Sequence, residues 1–324
     1  MLNRFRRGLL AAAWATVATM PTLAQTTAYP TKPITFTVPF AAGSATDQLA
    51  RALGQSISAQ TKQPVIVDNR AGASGIMAAQ STAKAAPDGY NVLITTNTTH
   101  AANEHLYKKL PYDPVKDFLP LTGLGKGGQV LVVRADAPYK SVADLLVKAR
   151  KEPGKLSFGS GSSSSRVAGE MFKQLSNTDL LHVPYKSNPL AITDLLGGQI
   201  DMMITDTATG VPQIKGGKLR ALAVSTTHRI ALLPDVPTID EAGVKGYDMG
   251  YWFAAYVPAG TPPAVAAQLR ELLIAGTKSA GAAAFFRDTG VEPWTTTPDE
   301  LAKFQASETQ KWGKVIKAAG IEAE

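Results

Sequence analysis

The sequence predicts an α/β protein of two lobes, each a mixed, mostly parallel sheet flanked by helices. Three observations carry this. The chain has 324 residues, more than one typical domain. It is 44% hydrophobic and 18% charged, which suits packed cores and argues against bulk disorder. Short β-branched runs alternate with helix-period segments in two successive series, the second beginning near Gln129.

The first 24 residues stand apart. Arg4, Arg6 and Arg7 precede the apolar run Leu9 to Ala15, and Thr22-Leu23-Ala24 puts small residues three and one before a cut after Ala24. Basic start, short apolar middle and small-residue end make a secretory signal peptide. Thr16, Thr19 and Pro21 interrupt the run, which is too short to span a bilayer of about 30 Å. The expected division is 1–24 signal peptide, 25–125 and 251–324 lobe 1, and 126–250 lobe 2. The expected location is the periplasm.

The first series opens with the strand Ile34 to Val38, and a helix follows from about Ser44, with Leu49, Leu53 and Ile57 on one face. Strand Val65 to Val67, helix 74–85 and strand Asn91 to Thr95 complete a β-α-β-α-β order. In the second series, Val130 to Val133 is a strand and Ser141 caps the next helix. Leu156 to Phe158, His182 to Pro184, Met202 to Ile204 and Leu219 to Val224 supply further strands. After a strand at Tyr251 to Val257 the chain turns helical, and this tail is expected to cover the first lobe.

Charge and motif content exclude several functions. The formal charge is +7, but removing the three leader arginines from 33 basic side chains leaves 30 against 26 acidic ones. No run of like charge remains, so no stripe exists for a phosphate backbone and no nucleic acid is expected. With no cysteine there is no disulfide, thiolate nucleophile or iron–sulfur cluster. His100, His105, His182 and His228 lack metal-ligand spacing, so neither metal nor cofactor is expected. Gly123 to Gly128 spells G-x-G-x-x-G, yet it runs into a strand instead of opening a helix, and reads as a flexible crossover between lobes. Ser81 to Lys84 spells S-x-x-K without its companion motifs.

Two segments share a design of strand, small and hydroxyl residues, then a helix start. They are Pro39 to Asp47 and Phe158 to Arg166, one in each lobe. Small residues expose backbone N–H groups, and a helix N-terminus carries partial positive charge, so the pair suits an anion held between lobes. Thr96 to His100, Ile204 to Thr207 and Pro184 to Asn188 also follow strands, where ligands of open α/β sheets sit.

These residues resemble a known family. Val38-Pro39-Phe40 with Thr46-Asp47, Asp68-Asn69-Arg70-Ala71-Gly72, Pro87-Asp88-Gly89-Tyr90, Leu110-Pro111-Tyr112-Asp113-Pro114, Val183-Pro184-Tyr185-Lys186 and Leu195-Leu196-Gly197-Gly198-Gln199 are similar to the periplasmic solute-binding proteins of tripartite tricarboxylate transporters, the Bug or TctC-like family. The resemblance implies a type II periplasmic-binding-protein, or Venus-flytrap, fold that closes on a small carboxylate. It implies delivery to a membrane permease of one large and one small subunit, with the receptor a monomer. By position it points to Phe40, Ala42, Ser44, Asp47, Thr98, Thr99 and His100 in lobe 1. In lobe 2 it points to Ser160, Ser162, Ser163, Ser164, Tyr185, Asn188, Asp206 and Thr207. Arg166, often His in relatives, either pairs a second ligand carboxylate or is a solvated helix residue. Asp206 would repel a bare carboxylate and suits a ligand hydroxyl, ammonium or bridging water. Tyr251 and Trp252 read as hinge packing. Two other functions fit the residues: a periplasmic hydrolase using Ser81 or a serine of 160–165, and a ligand-sensing subunit for a membrane receptor.

Overall fold

A computed structural model describes residues 29–324, so the expected signal peptide lies outside the described residues. The first series contains β1 (Ile34–Val38), α1 (Ala45–Thr61), β2 (Val65–Asn69), α2 (Ile76–Ala83) and β3 (Asn91–Thr96). A π-helical turn at Thr98–Ala102 and α3 (Asn103–Leu106) follow, where the sequence suggested an open loop. β4 (Phe118–Arg134) leads into α4 (Val142–Lys151), β5 (Ser157–Ser160), α5 (Ser163–Ser176), β6 (Leu181–Pro184) and α6 (Asn188–Leu196). Then come β7 (Met202–Asp206), α7 (Thr207–Lys215), β8 (Leu219–Val224), β9 (Gly250–Pro258), α8 (Pro263–Thr277), α9 (Ala280–Thr289), β10 (Glu292–Pro293) and α10 (Pro298–Ala318).

The strands follow one path, β2-β1-β3-β9-β4-β7-β5-β6, with β8 and β10 also paired to β4. Each series keeps a parallel core, β2-β1-β3 in the first and β6-β5-β7 in the second. Every antiparallel pairing involves β4 or β9. The parallel parts are the βαβ units that the alternating pattern predicts. β9 and β4 join them into the two-lobed α/β architecture.

β4 carries the main surprise. It is a continuous strand of 17 residues that pairs with β9 up to Gly128 and with β7 from Gln129. Gly123 to Gly128 therefore is not the flexible crossover expected from the sequence. A Cβ at Gly123 would lie 2.4 Å from the Trp294 ring, and one at Gly127 would lie 2.6 Å from the Tyr251 ring. Those glycines let aromatic rings pack on the strand backbone. Register shifts at 120–122 and 123–125 bend the strand as bulges do.

Separate apolar clusters fill the two halves: Phe36, Leu49 and Phe253 belong to one, Val130, Leu195 and Met203 to another. A third cluster, including Leu131, Phe158, Trp252 and Trp312, runs between them. In the helical tail, α8 and α9 pack on α1. α10 packs on the 98–102 turn, on β4 and also on α5, so the tail reaches beyond the first series. Among the described residues no helix is long and apolar enough to cross a membrane.

Candidate functional site

Three helices begin at the carboxyl ends of strands and meet at one compact cavity of about 40 Å³, room for on the order of three waters. α1 starts after Ser44, whose side chain accepts from the Asp47 amide. α5 starts after Ser162, which exchanges hydrogen bonds with Ser165 in a capping box. α7 starts after Asp206, whose Oδ1 accepts from the Thr209 amide at 2.9 Å. The first amides of a helix have no intrahelical acceptor. In α1 these belong to Ala45 and Thr46, and in α5 to Ser163 and Ser164; Ala45, Thr46 and Ser164 line the cavity.

Phe40, Tyr251 and Phe253 form apolar walls, the last two edge to face at 5.2 Å. Asn188 is the organiser on the second-series side. Its Oδ1 accepts from the Gly161 amide at 3.0 Å and from Ser165 Oγ at 3.1 Å, and its Nδ2 donates to Asp206 Oδ2 at 2.7 Å. No lysine, arginine or histidine lines the cavity. Asp206 is its one carboxyl group, and burial pushes it above the usual carboxylate range against the hydrogen bonds from Asn188 and Thr209. Burial and the nearby Asp206 also hold the Tyr251 phenol protonated.

Of the residues predicted from sequence, Phe40, Ser44, Ser162, Ser164, Asn188 and Asp206 line the cavity. The others do not, for identifiable reasons. Ala42 is exposed on the turn before α1. Asp47 is spent on structure: its carboxylate accepts from the Gly43 amide, Asn69 Nδ2 and Arg51, which hold it below the usual range against the penalty of burial. Thr99 bonds Thr95 and His100 Nδ1. His100 is fully buried, stacked on Tyr256 at 3.9 Å, and burial pushes its pKa down to about 3. Thr98 lies behind Ser164, 3.4 Å from its hydroxyl.

Lobe 2 shows the same sorting. Ser163 donates to Asn103 Oδ1 at 2.8 Å, and Asn97 Nδ2 donates to Ser164 at 2.8 Å, so the serine loop is tied to the first series. Arg166 forms an ion pair with Glu324 at 2.5 Å and does not reach the cavity. Tyr185 donates to Asp194, and Thr207 sits 3.3 Å from the Tyr251 hydroxyl. Ser160 bonds His182 Nε2 at 2.7 Å, outside the cavity, and His182 has no carboxylate partner among the described residues. Ser81 bonds Arg70 and no base. Neither serine is set up as a hydrolase nucleophile.

Ala45, Thr46, Thr96 and Gly161 line the cavity from segments that the sequence marks, whereas sequence reasoning missed Gln129 and Phe253 and read Tyr251 as hinge packing although it lines the cavity. Those last three sit on β4 or β9, near where the path passes from one series to the other. Gln129 carried a faint signal, a lone polar residue between a glycine run and four apolar ones.

A profile described as the tripartite tricarboxylate transporter family receptor matches residues 49–321. A UPF0065 protein encoded between tcbD and tcbE in a Pseudomonas species is 36% identical over 320 residues, covering 98% of this chain and 95% of its own. Rhodopseudomonas palustris Rpa4515, solved with adipate, superposes with a TM-score of 0.88 at 35% identity, covering 92% of this chain and all of the other. MatC of the same species, solved with malate, gives 0.84 at 29% identity, covering 89% of this chain and all of its own.

Proposed function

The chain belongs to the tripartite tricarboxylate transporter receptor family, whose members are solute-binding proteins and not enzymes, and we propose that it captures a small carboxylate between its lobes for a membrane permease. One observation carries the reading: free helix-start amides from α1 and from α5, one helix in each series, converge on a cavity with aromatic walls. Such amides are donors with partial positive charge, and they suit a carboxylate without any catalytic group. The relatives solved with adipate and with malate support the ligand class. A cavity of about 40 Å³ admits even a four-carbon diacid only if its walls part, which suits lobes that open and close.

The contacts come from Phe40, Ser44, Ser162, Ser164 and Asn188, with the amides of Ala45 and Thr46. The lobes divide near residues 126 and 250, close to where β4 changes partner and β9 begins. A signal peptide cut after Ala24 delivers the monomer to the periplasm, where it meets the large and small permease subunits. Titration calorimetry of the mature protein against mono-, di- and tricarboxylates tests the ligand class. Micromolar or tighter binding of at least one is expected, and no binding across the panel would refute it.

A further inference from the structure

α10 and the residues after it touch both series, and they hold the two sides by different means. Toward the first series the bonds are largely buried. Gln305 accepts from the Tyr256 hydroxyl and donates to the Pro114 carbonyl, each at 3.0 Å, and is only 5% exposed. His105 Nε2 donates to the Thr309 carbonyl at 2.9 Å. The backbone of Glu324 donates to the Leu106 carbonyl at 2.9 Å and accepts from the Lys108 amide at 2.8 Å. Leu301, Trp312 and Ile316 sink into the apolar cluster that holds Leu93 and Tyr256.

Toward the second series, the polar side-chain bonds of this segment among the described residues are two ion pairs. Glu324 meets Arg166, in the first turn of α5, at 2.5 Å. Lys311 meets Asp248, just before β9, at 4.0 Å. Glu324, Lys311 and Asp248 are each about half exposed. Their charges can part and be taken up by water, whereas parting the buried bonds would strand donors and acceptors. An exposed ion pair shifts an equilibrium by only about 1.5- to 5-fold. The segment is therefore fixed to one side and fastened reversibly to the other. Arg166 also lies three residues past Ser163, where α5 begins and its amides turn to the cavity.

We propose that α10 and the residues to Glu324 form a strap, which rides on lobe 1 and fastens lobe 2 at Arg166 and Asp248, biasing the protein toward the closed arrangement before any ligand binds. The strap touches no lining residue named above. It acts on affinity through the fraction of molecules already closed, which scales the apparent affinity of a ligand held between lobes. It goes beyond the carboxylate reading and shares with it only the premise that the lobes part and close.

The test uses the mature protein without ligand. The chain has no cysteine, so Val115→Cys in the first series and Val147→Cys on α4, both exposed, each take one spin label. Pulsed electron–electron double resonance then reads the distance between the lobes. A population at the distance set by this structure, in which the lobes are together, is expected in the ligand-free protein. Arg166→Glu sets like charges against each other and should raise the ratio of open to closed molecules at least four-fold. Adding Glu324→Arg should restore it to within two-fold, which loss of a merely structural contact would not do. Lys311→Glu, facing Asp248, should shift the ratio the same way by about two-fold, and keeps the proposal falsifiable if Arg166→Glu folds poorly. A ligand-free protein with no closed population, an unchanged distribution in the folded single variants, or a shift that Glu324→Arg does not reverse overturns the strap. No ligand enters the measurement, so failure of every carboxylate to bind overturns the ligand class alone.

Discussion

Gly161 offers a sharp test of how the second-series side of the cavity is held. It lies between β5 and the start of α5, and a Cβ there would sit 1.9 Å from the Ser187 carbonyl carbon and 2.1 Å from the Asn188 nitrogen. These are backbone atoms, so no side-chain rotation relieves the clash. Reaching ordinary contact requires the Ser187–Asn188 segment to retreat by more than 1 Å. Ser187 is fully buried, so the retreat itself costs about 1–3 kcal/mol as overpacking. It also threatens the bonds of Asn188 to the Gly161 amide, Ser165 and Asp206. At about 1 kcal/mol each, their loss brings the total for Gly161→Ala to about 5 kcal/mol. Retreat with the bonds intact would cost about 2. Calorimetric melting reads this as a fall of several degrees, at roughly 2 °C per kcal/mol for a chain of this size. Gly197→Ala is the control: its φ is −76° and the added Cβ meets nothing closer than 3.5 Å, so it should be neutral or slightly stabilising. A Gly161→Ala protein melting within 2 °C of wild type would refute the claim that the Asn188 segment is fixed against this glycine.

The remaining predictions concern the crossing strand, Arg166 and acid stability. Gly127→Ala should destabilise by about 1–3 kcal/mol in urea titration, because the new methyl meets the Tyr251 ring; a flexible crossover would instead gain about 0.4–1 kcal/mol from the same change, so the sign decides. Arg166→Ala should leave carboxylate affinity within about three-fold by calorimetry and cost at most about 1 kcal/mol of stability, since its partner Glu324 is more than half exposed and the guanidinium lies off the cavity. A ten-fold loss of affinity would return Arg166 to the site. His100 has an ordinary pKa of 6.5 in the unfolded chain and about 3 when folded, so the unfolded state alone takes up a proton between those values. Stability should therefore be full above about 6.5 and fall as pH drops toward 3, by up to about 1.4 kcal/mol per unit. His100→Phe should flatten that slope in unfolding titrations at pH 7, 5.5 and 4.5, and a variant with the wild-type slope would contradict this origin.

What could be read from the chain was local. Ser44, Ser141 and Ser162 announce helix starts because a short hydroxyl side chain satisfies an amide three residues on, and the structure places all three as N-caps. The same small polar residues at strand ends mark the cavity loops, which is why Ser44, Ser162, Ser164, Asn188 and Asp206 were legible as lining residues. Asp47 and His100 look identical to them in sequence. Only the fold shows that Arg51 and Asn69 absorb the one and that Tyr256, from a strand over 150 positions away, covers the other. Gln129 was illegible for the converse reason. Its significance depends on register with Asp206, 77 residues on, and no local pattern specifies that pairing.

The absence of a cation from the cavity bears on how binding and lobe position are linked. A guanidinium would hold a carboxylate from one side alone, whether or not the second lobe were present. Helix-start amides are weaker and act only at contact range, within the first turn. Here they come from α1 in the first series and α5 in the second, so neither set alone gives a carboxylate its full complement of donors. Asn97 and Asn103 of the first series bond Ser164 and Ser163 at the start of α5, which keeps the two amide sets together. Binding free energy is then realised mainly when the lobes are together, and separating them removes about half the donors at once. Weakening the bridge should therefore act on affinity without touching a lining side chain. Asn103→Ala removes the acceptor for the buried Ser163 hydroxyl, and calorimetry should show a several-fold weaker carboxylate, whereas an unchanged Kd in a folded variant would mean that the α5 amides are held in place without help from the first series.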